Sequence, residues 1–207
     1  MCIRSLIRYT GLAVIVVATA SCGDVIRSSR SPVQLVVTSM VAGSDNSGTL
    51  LSDVISAPEC VPATDPVTTC PTVLNDFASA SLAAIMKDVT VSPTTNNQVT
   101  ITSYHVEYAR ADGRNRPGVD VPYPFDAAVT ATIPGGSSGA VGFEIVRHTA
   151  KLDPPLVQLS NGNGGVNNPN IISTITRVTF FGTDLVGNDV SATGSIAVNF
   201  GDFGDSK

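Results

Sequence analysis

At 207 residues, the chain has room for one domain of ordinary size or a tight pair. Acids outnumber bases 17 to 12, a net charge of −5, which argues against a nucleic-acid-binding surface and a basic membrane-hugging patch. Tryptophan is absent and aromatics make up 5%, so a stacking platform for carbohydrate is poorly supplied. Charged residues are sparse while Gly, Ser, Thr, Asn and Val abound, a profile that suits a secreted all-β protein with many turns.

Residues 1–21 come first. Arg4 and Arg8 precede an uncharged apolar run, LAVIVVA, and small residues Thr19, Ala20 and Ser21 lead into Cys22. This is the charged, apolar, small-residue order of a secretory signal peptide. The run is far shorter than the ~20 residues a membrane-spanning helix needs. Ala20, Ser21 and Cys22 resemble the cleavage box of bacterial lipoproteins, with Thr19 standing where Leu is usual. The resemblance implies cleavage before Cys22, diacylation of its sulfur and acylation of the new amine. Two or three chains hold stably where one holds weakly, so Cys22 is the expected lipid anchor in the bacterial envelope. Gly23, standing where Asp does not, resembles the outer-membrane sorting pattern of some bacteria. Loss of residues 1–21 removes two Arg and no acid, leaving 10 bases against 17 acids and a mature net charge of −7.

Cys2 leaves with the signal and Cys22 takes lipid, so Cys60 and Cys70 remain as an even pair. In an exported protein such a pair is expected to form a disulfide. Between them only Asp65 is another metal-ligand type, which disfavours zinc. The spacing is not the C-x-x-C of redox-active pairs. In the chain-entropy model a ring of this size stabilises by about 3 kcal/mol.

Residues 22–31 form a short polar tether; as a flexible coil it spans on the order of 17 Å. The domain is expected over 32–202, and residues 203–207 form a polar tail. Residues 32–42 read as the first strand, GSDNSG at 43–48 as a turn, and 49–55 as a short strand. Ala, Leu and Met favour a helix over 73–88, but alternation from Asp76 through Leu82 favours a strand, which an all-β context selects. Residues 98–111 read as a strand whose phase slips at Thr102–Ser103, which predicts a β-bulge. DGRNRPGVDVPYPF at 112–125 is a long loop with a defined shape. Residues 127–133 and 140–151 read as a hairpin around PGGSSG. Pro154 and Pro155 make 152–159 at best an edge strand, and 160–170 is a loop by composition. Residues 171–181 and 189–200 read as the last hairpin, with Val190, Ala192, Gly194, Ile196, Val198 and Phe200 on the buried face.

Seven or eight strands at this spacing predict an antiparallel β-sandwich. The Tyr104–Val106–Tyr108 strand and FFGTDLVGNDVSATGSIAV, with Asp184, Gly187 and Asn188 at its turn, resemble immunoglobulin-like and fibronectin type III-like domains of bacterial surface proteins. The resemblance covers about a third of the chain and lacks the core Trp between two cysteines. It implies an Ig-like build and assigns no activity.

His105 and His148 are the two histidines. Each alternates against an apolar face, as surface histidines do, and no G-x-S-x-G is present to raise a hydrolase reading. Asp112, Asp120 and Asp126 bracket the long loop, and Asp184 and Asp189 the last turn. Turn chemistry explains them; loop carboxylates gathering calcium is the alternative. Arg110, Arg114 and Arg116 beside Asp112 and Glu107 read as a solvated loop with local pairing, an anion site being the alternative. No cofactor or metal is expected. The candidate partner-contact residues are Arg114, Arg116, Asp120, Tyr123 and Phe125, because structured loops on rigid sheets carry binding. The expected function is therefore a lipid-anchored, non-catalytic structural or partner-binding subunit held on the membrane beside an envelope or surface partner. A carbohydrate- or small-ligand-binding module, calcium-assisted or not, is the second reading, and a hydrolase the third. A non-reducing mass map of exported protein should recover a peptide linked through Cys60 and Cys70; two free thiols would contradict the pairing.

Overall fold

Alternating apolar residues build eight strands in the computed structural model, which describes residues 30–43, 46–56, 72–160 and 171–203. In chain order they are β1 (Val33–Ala42), β2 (Thr49–Asp53), β3 (Asp76–Met86), β4 (Val99–Ala109), β5 (Phe125–Ile133), β6 (Ser138–Val146), β7 (Ile172–Asp184) and β8 (Asp189–Gly201). One short helix, α1 (His148–Leu152), follows β6. The chain is thus all-β, as expected. Its strands form a three-stranded sheet, β1-β3-β6, and a five-stranded sheet, β2-β8-β7-β4-β5. One of the two sheets curls like a half-barrel, and the two layers close on one core in a sandwich-like way.

β8 pairs with β7 in an unbroken antiparallel register, and its expected apolar face is the one turned inward. β4 shows the expected bulge: its register slips between Ile101 and Ser103 against both neighbours. The extra residue returns Val99 and Ile101 to the same face as Tyr104, Val106 and Tyr108, and all five are buried. Gly182 lies opposite the bulge, where a Cβ would fall on the Thr100 carbonyl. The segment 73–88 does form a strand, β3, whose inward residues are Ala78, Ala80, Leu82 and Ala84. Three of these four are alanines, and Ala78 lies directly beside Phe143 in the β3–β6 register. Phe143 lies 5.4 Å from Tyr104 and 5.3 Å from Phe180 between ring centroids, both edge-on. Small residues on one strand beside a ring on the next fill the core without overlap.

Three expectations need correction. β5 and β6 are not a hairpin: β5 pairs with β4 in one sheet and β6 with β3 in the other, so the PGGS turn carries the chain across the core. Partner choice here follows burial of each strand's apolar face, which turn composition does not encode. The strand expected to run to Lys151 stops at Val146, and α1 with a 3-10 turn at Leu156–Leu159 replaces the rest and the expected edge strand. Finally, the sheets are not wholly antiparallel, since β2 runs parallel to β8.

β4 also ties the layers together. The Tyr108 hydroxyl donates to the Ile145 carbonyl at 2.6 Å, and the Glu144 N–H donates to the Tyr104 hydroxyl at 3.2 Å. Two tyrosines of the large sheet thus satisfy backbone groups of β6. Burial pushes the Tyr108 hydroxyl pKa up, keeping it a donor across the ordinary pH range.

The strands give the molecule two ends. At the near end the chain enters β1, and the β3–β4 loop, the β5–β6 turn and the β7–β8 turn gather. At the far end lie the β4–β5 loop, α1 and the end of β8. Tyr108→Phe should cost about 1–3 kcal/mol in denaturant unfolding, because the Ile145 carbonyl is left buried and unpaired. Tyr123→Phe, at an exposed ring, should unfold like wild type.

Candidate partner-binding site

The far-end loop is held by ion pairs within itself. Arg110 grips Asp112 through Nε at 3.1 Å and Nη2 at 2.7 Å, and Arg114 grips the same carboxylate through Nε at 2.9 Å and Nη2 at 2.8 Å. Hydrogen bonds from Arg110, then from Arg114, hold the Asp112 carboxyl well below the usual carboxylate range. Four positions on, Arg116 Nε reaches Asp120 Oδ2 at 2.9 Å, which lowers the Asp120 pKa in the same way. Gly113 and Gly118 take positive φ values of 80° and 74°, as the tight turns require. The Tyr123 ring lies over Gly118 and leaves no room for a Cβ there. The loop therefore has the defined shape its composition predicts, and its arginines face their own aspartates.

Of the expected contact residues, Arg114, Arg116, Asp120 and Tyr123 lie together on this loop. Tyr123 is 64% exposed. Phe125 instead begins β5 and packs inward, edge-on to Tyr104 at 6.3 Å, with the Arg147 guanidinium 3.9 Å above its ring. Arg147 also donates to the Asp126 carbonyl at 2.9 Å. Pro122, Tyr123, Arg147, Ala150 and Pro154 border a cleft of about 170 Å³ between the loop and α1. Arg147 and α1 are the parts of this surface that sequence reading missed.

Beneath it lies a buried ion pair, also missed. Lys151 on α1 is 2% exposed. Its Nζ meets Asp76 Oδ2 at 3.0 Å and donates to the Asp53 carbonyl at 2.8 Å. The buried Ser52 hydroxyl donates to Asp76 Oδ2 at 2.6 Å. Burial raises the Asp76 pKa, outweighing Lys151 and the two hydrogen bonds that lower it. The group pins α1 to β2 and β3 and so fixes one wall of the cleft. No local signal marks Lys151; Asp53 lies 98 positions away in the chain.

The carboxylates weighed for calcium are spread apart. Asp126 meets His105 Nδ1 at 2.8 Å directly across β4 and β5. His148 is bonded to Asn75 at 2.8 Å. Asp184 sits at the near end, away from Asp112 and Asp120, and accepts from the Val186 and Asn188 N–H groups at 3.0 and 2.8 Å. Burial opposes its charge, but bonds from Asn188, Ser31 and Val186 prevail and hold its pKa low. Among the described residues no three His, Cys, Asp or Glu side chains gather as a metal site. Cys22, Cys60 and Cys70 lie outside the described residues. Ser56 and Thr72, which flank the stretch containing Cys60 and Cys70, exchange backbone hydrogen bonds at 2.9 and 2.7 Å.

No family model and no curated protein matches the chain. A solved X-ray structure, Northeast Structural Genomics Consortium target SoR45, aligns over 85% of this chain and 91% of its own at 10% identity, with a TM-score of 0.34. A likeness that loose carries no argument.

Lys151→Met should destabilise the protein by about 3–5 kcal/mol at neutral pH, because it strands the Asp76 carboxylate in a buried site. Asp76 is then more easily protonated in the folded than in the unfolded chain. The deficit should therefore shrink as pH falls through the raised folded pKa towards the ordinary carboxylate value. Urea melts of the variant and wild type across that range measure the difference; a pH-independent deficit would contradict the buried pair.

Proposed function

We propose that this protein is a lipid-anchored, non-catalytic subunit of the bacterial envelope, most readily of the outer membrane, whose Ig-like sandwich holds a protein partner at its far end. The observation that carries the reading is the separation of the two ends. Residue 30 enters at one, and the arginine-laced loop with its exposed Tyr123 stands at the other. An anchor at Cys22 would leave that loop facing away from the bilayer. Exposed tyrosine and arginine on a stiff loop are the chemistry of protein interfaces, where such residues dominate the binding energy. The cleft is smaller than the ~300–1,000 Å³ usual for small-molecule sites, which favours a partner's side chain over a free ligand.

Two measurements test the two halves of this reading. Labelling cells with a radioactive fatty acid should mark the wild-type protein and leave Cys22→Ser unmarked; label retained in the variant would overturn the anchor. A photo-crosslinking residue at position 123 should give a discrete adduct in the native envelope, and one at position 175, outside β7, should not. Tyr123→Ala should weaken recovery of that partner by roughly 30-fold, the ~2 kcal/mol of an interfacial hot spot. Equal recovery would place the partner elsewhere.

A further inference from the structure

The near end has its own chemistry. Two turns carry exposed aliphatic tips there, one where the chain crosses from the smaller sheet to the larger and one within the larger sheet. The β3–β4 loop presents Val89, 91% exposed, with Val91 beside it; the β7–β8 turn presents Val186, 83% exposed, with Leu185 beside it. Single exposed aliphatic side chains are common on protein surfaces, but four gathered on two turns at one end mark a candidate contact surface. Tyrosine and tryptophan are missing from these tips, unlike the far-end loop, so the hot-spot chemistry of a protein interface is not there. Arg30 and Lys87 flank the tips and are exposed. Three acids lie nearby: Asp88 bonds its own turn through Thr90 at 2.9 and 2.6 Å, Asp184 is turned inward, and Asp189 opens β8 opposite Thr183.

The chain enters at this same end. The Lys87 N–H donates to the Pro32 carbonyl at 2.9 Å. Ser31 is buried and bonds Asp184. The last tether residues are therefore fastened to both tip-bearing turns. Cys22 lies eight residues before Arg30, a reach of at most about 28 Å fully extended. A lipid on Cys22 thus holds both tips within one short span of the bilayer.

Resting on the lipid-anchor reading above, we propose that the near end is a membrane-docking surface: Val89, Val91, Leu185 and Val186 enter the acyl–headgroup boundary of the bilayer that holds Cys22, with Arg30 and Lys87 at the headgroups. Small aliphatic side chains inserted from two separate turns give the domain a fixed orientation, which one flexible tether cannot. The lipid chains supply the affinity, and the tips supply the angle.

The chain has no tryptophan, so one introduced residue reports alone. Full-length lipidated Val89→Trp, Val186→Trp and Val119→Trp would be reconstituted into phosphatidylcholine–phosphatidylglycerol vesicles, with and without brominated acyl chains. Flotation reads the anchor; emission and quenching read the docking. All three should float. Val89→Trp and Val186→Trp should shift to shorter wavelength and lose most of their emission to the brominated lipid, while Val119→Trp, on the far-end loop, keeps a water-like spectrum. Flotation with all three spectra water-like overturns the docking and leaves the anchor standing. A blue shift without bromine quenching means a second copy of the chain covers the tips, and also overturns it. Failure to float overturns the anchor, and the docking with it.

Discussion

Everything in this fold depends on β4. It is an interior strand of the larger sheet, pairing with β5 and β7, and its tyrosines bond the backbone of β6 in the other layer. The bulge between Ile101 and Ser103 makes this geometry available. Without the extra residue, either Val99 and Ile101 or the two tyrosines would point to solvent. One inserted residue lets a single strand seal the core over its whole length and close the gap between layers with side chains. The hydroxyls sit in a dry space where an unmade hydrogen bond costs more than a made one gains, so the layers are held in one relative position. A defined position of β6 then defines where α1 begins, and through Lys151 where the wall of the far-end cleft stands.

The same arrangement explains why the two ends differ. Strands running the length of the domain separate the turns that hold Ser31 and Pro32 from the loop that displays Tyr123. The near end presents Val89, Val91, Leu185 and Val186, and its carboxylates Asp88 and Asp184 bond their own turns. The far end displays Tyr123 and Val119, both exposed, on a loop cross-braced by Arg–Asp pairs that fix its shape at ordinary pH, with exposed Leu152 on α1. With a lipid at Cys22, such a body would act as a short post, one end at the bilayer and the other offered to a partner.

Much of this was legible in the chain because it is local. β8 alternates without interruption, so its buried face could be named residue by residue. The bulge showed as a slip in parity at Thr102–Ser103. The self-paired loop showed in its spacing of Asp, Gly, Arg and Pro. What was hidden depends on residues distant in sequence. PGGSSG looks like a hairpin turn because its composition is that of any tight turn, and only the competition of β3 and β4 for partners sends β5 and β6 into different sheets. Nothing in residues 49–53 announces parallel pairing with a strand near the other terminus. Lys151 reads as one more surface lysine until β2 and β3 bring Asp53 and Asp76 around it. Phe125 was placed on the contact surface, but the Arg147 that covers it comes from another strand's end.

The height of the domain above the membrane tests the central claim most directly. β7 is 13 residues long, which at ~3.3 Å per residue makes the strand axis about 40 Å, against ~24 Å across five strands spaced ~4.8 Å apart. Neutron reflectometry on the lipidated full-length protein, tethered to a supported bilayer at low coverage, reads that dimension. The expected result is a protein layer of about 40 Å or more, beginning at the headgroups with no intervening water gap. A layer nearer 25 Å, or one separated from the headgroups by solvent, would contradict a domain standing on its near end.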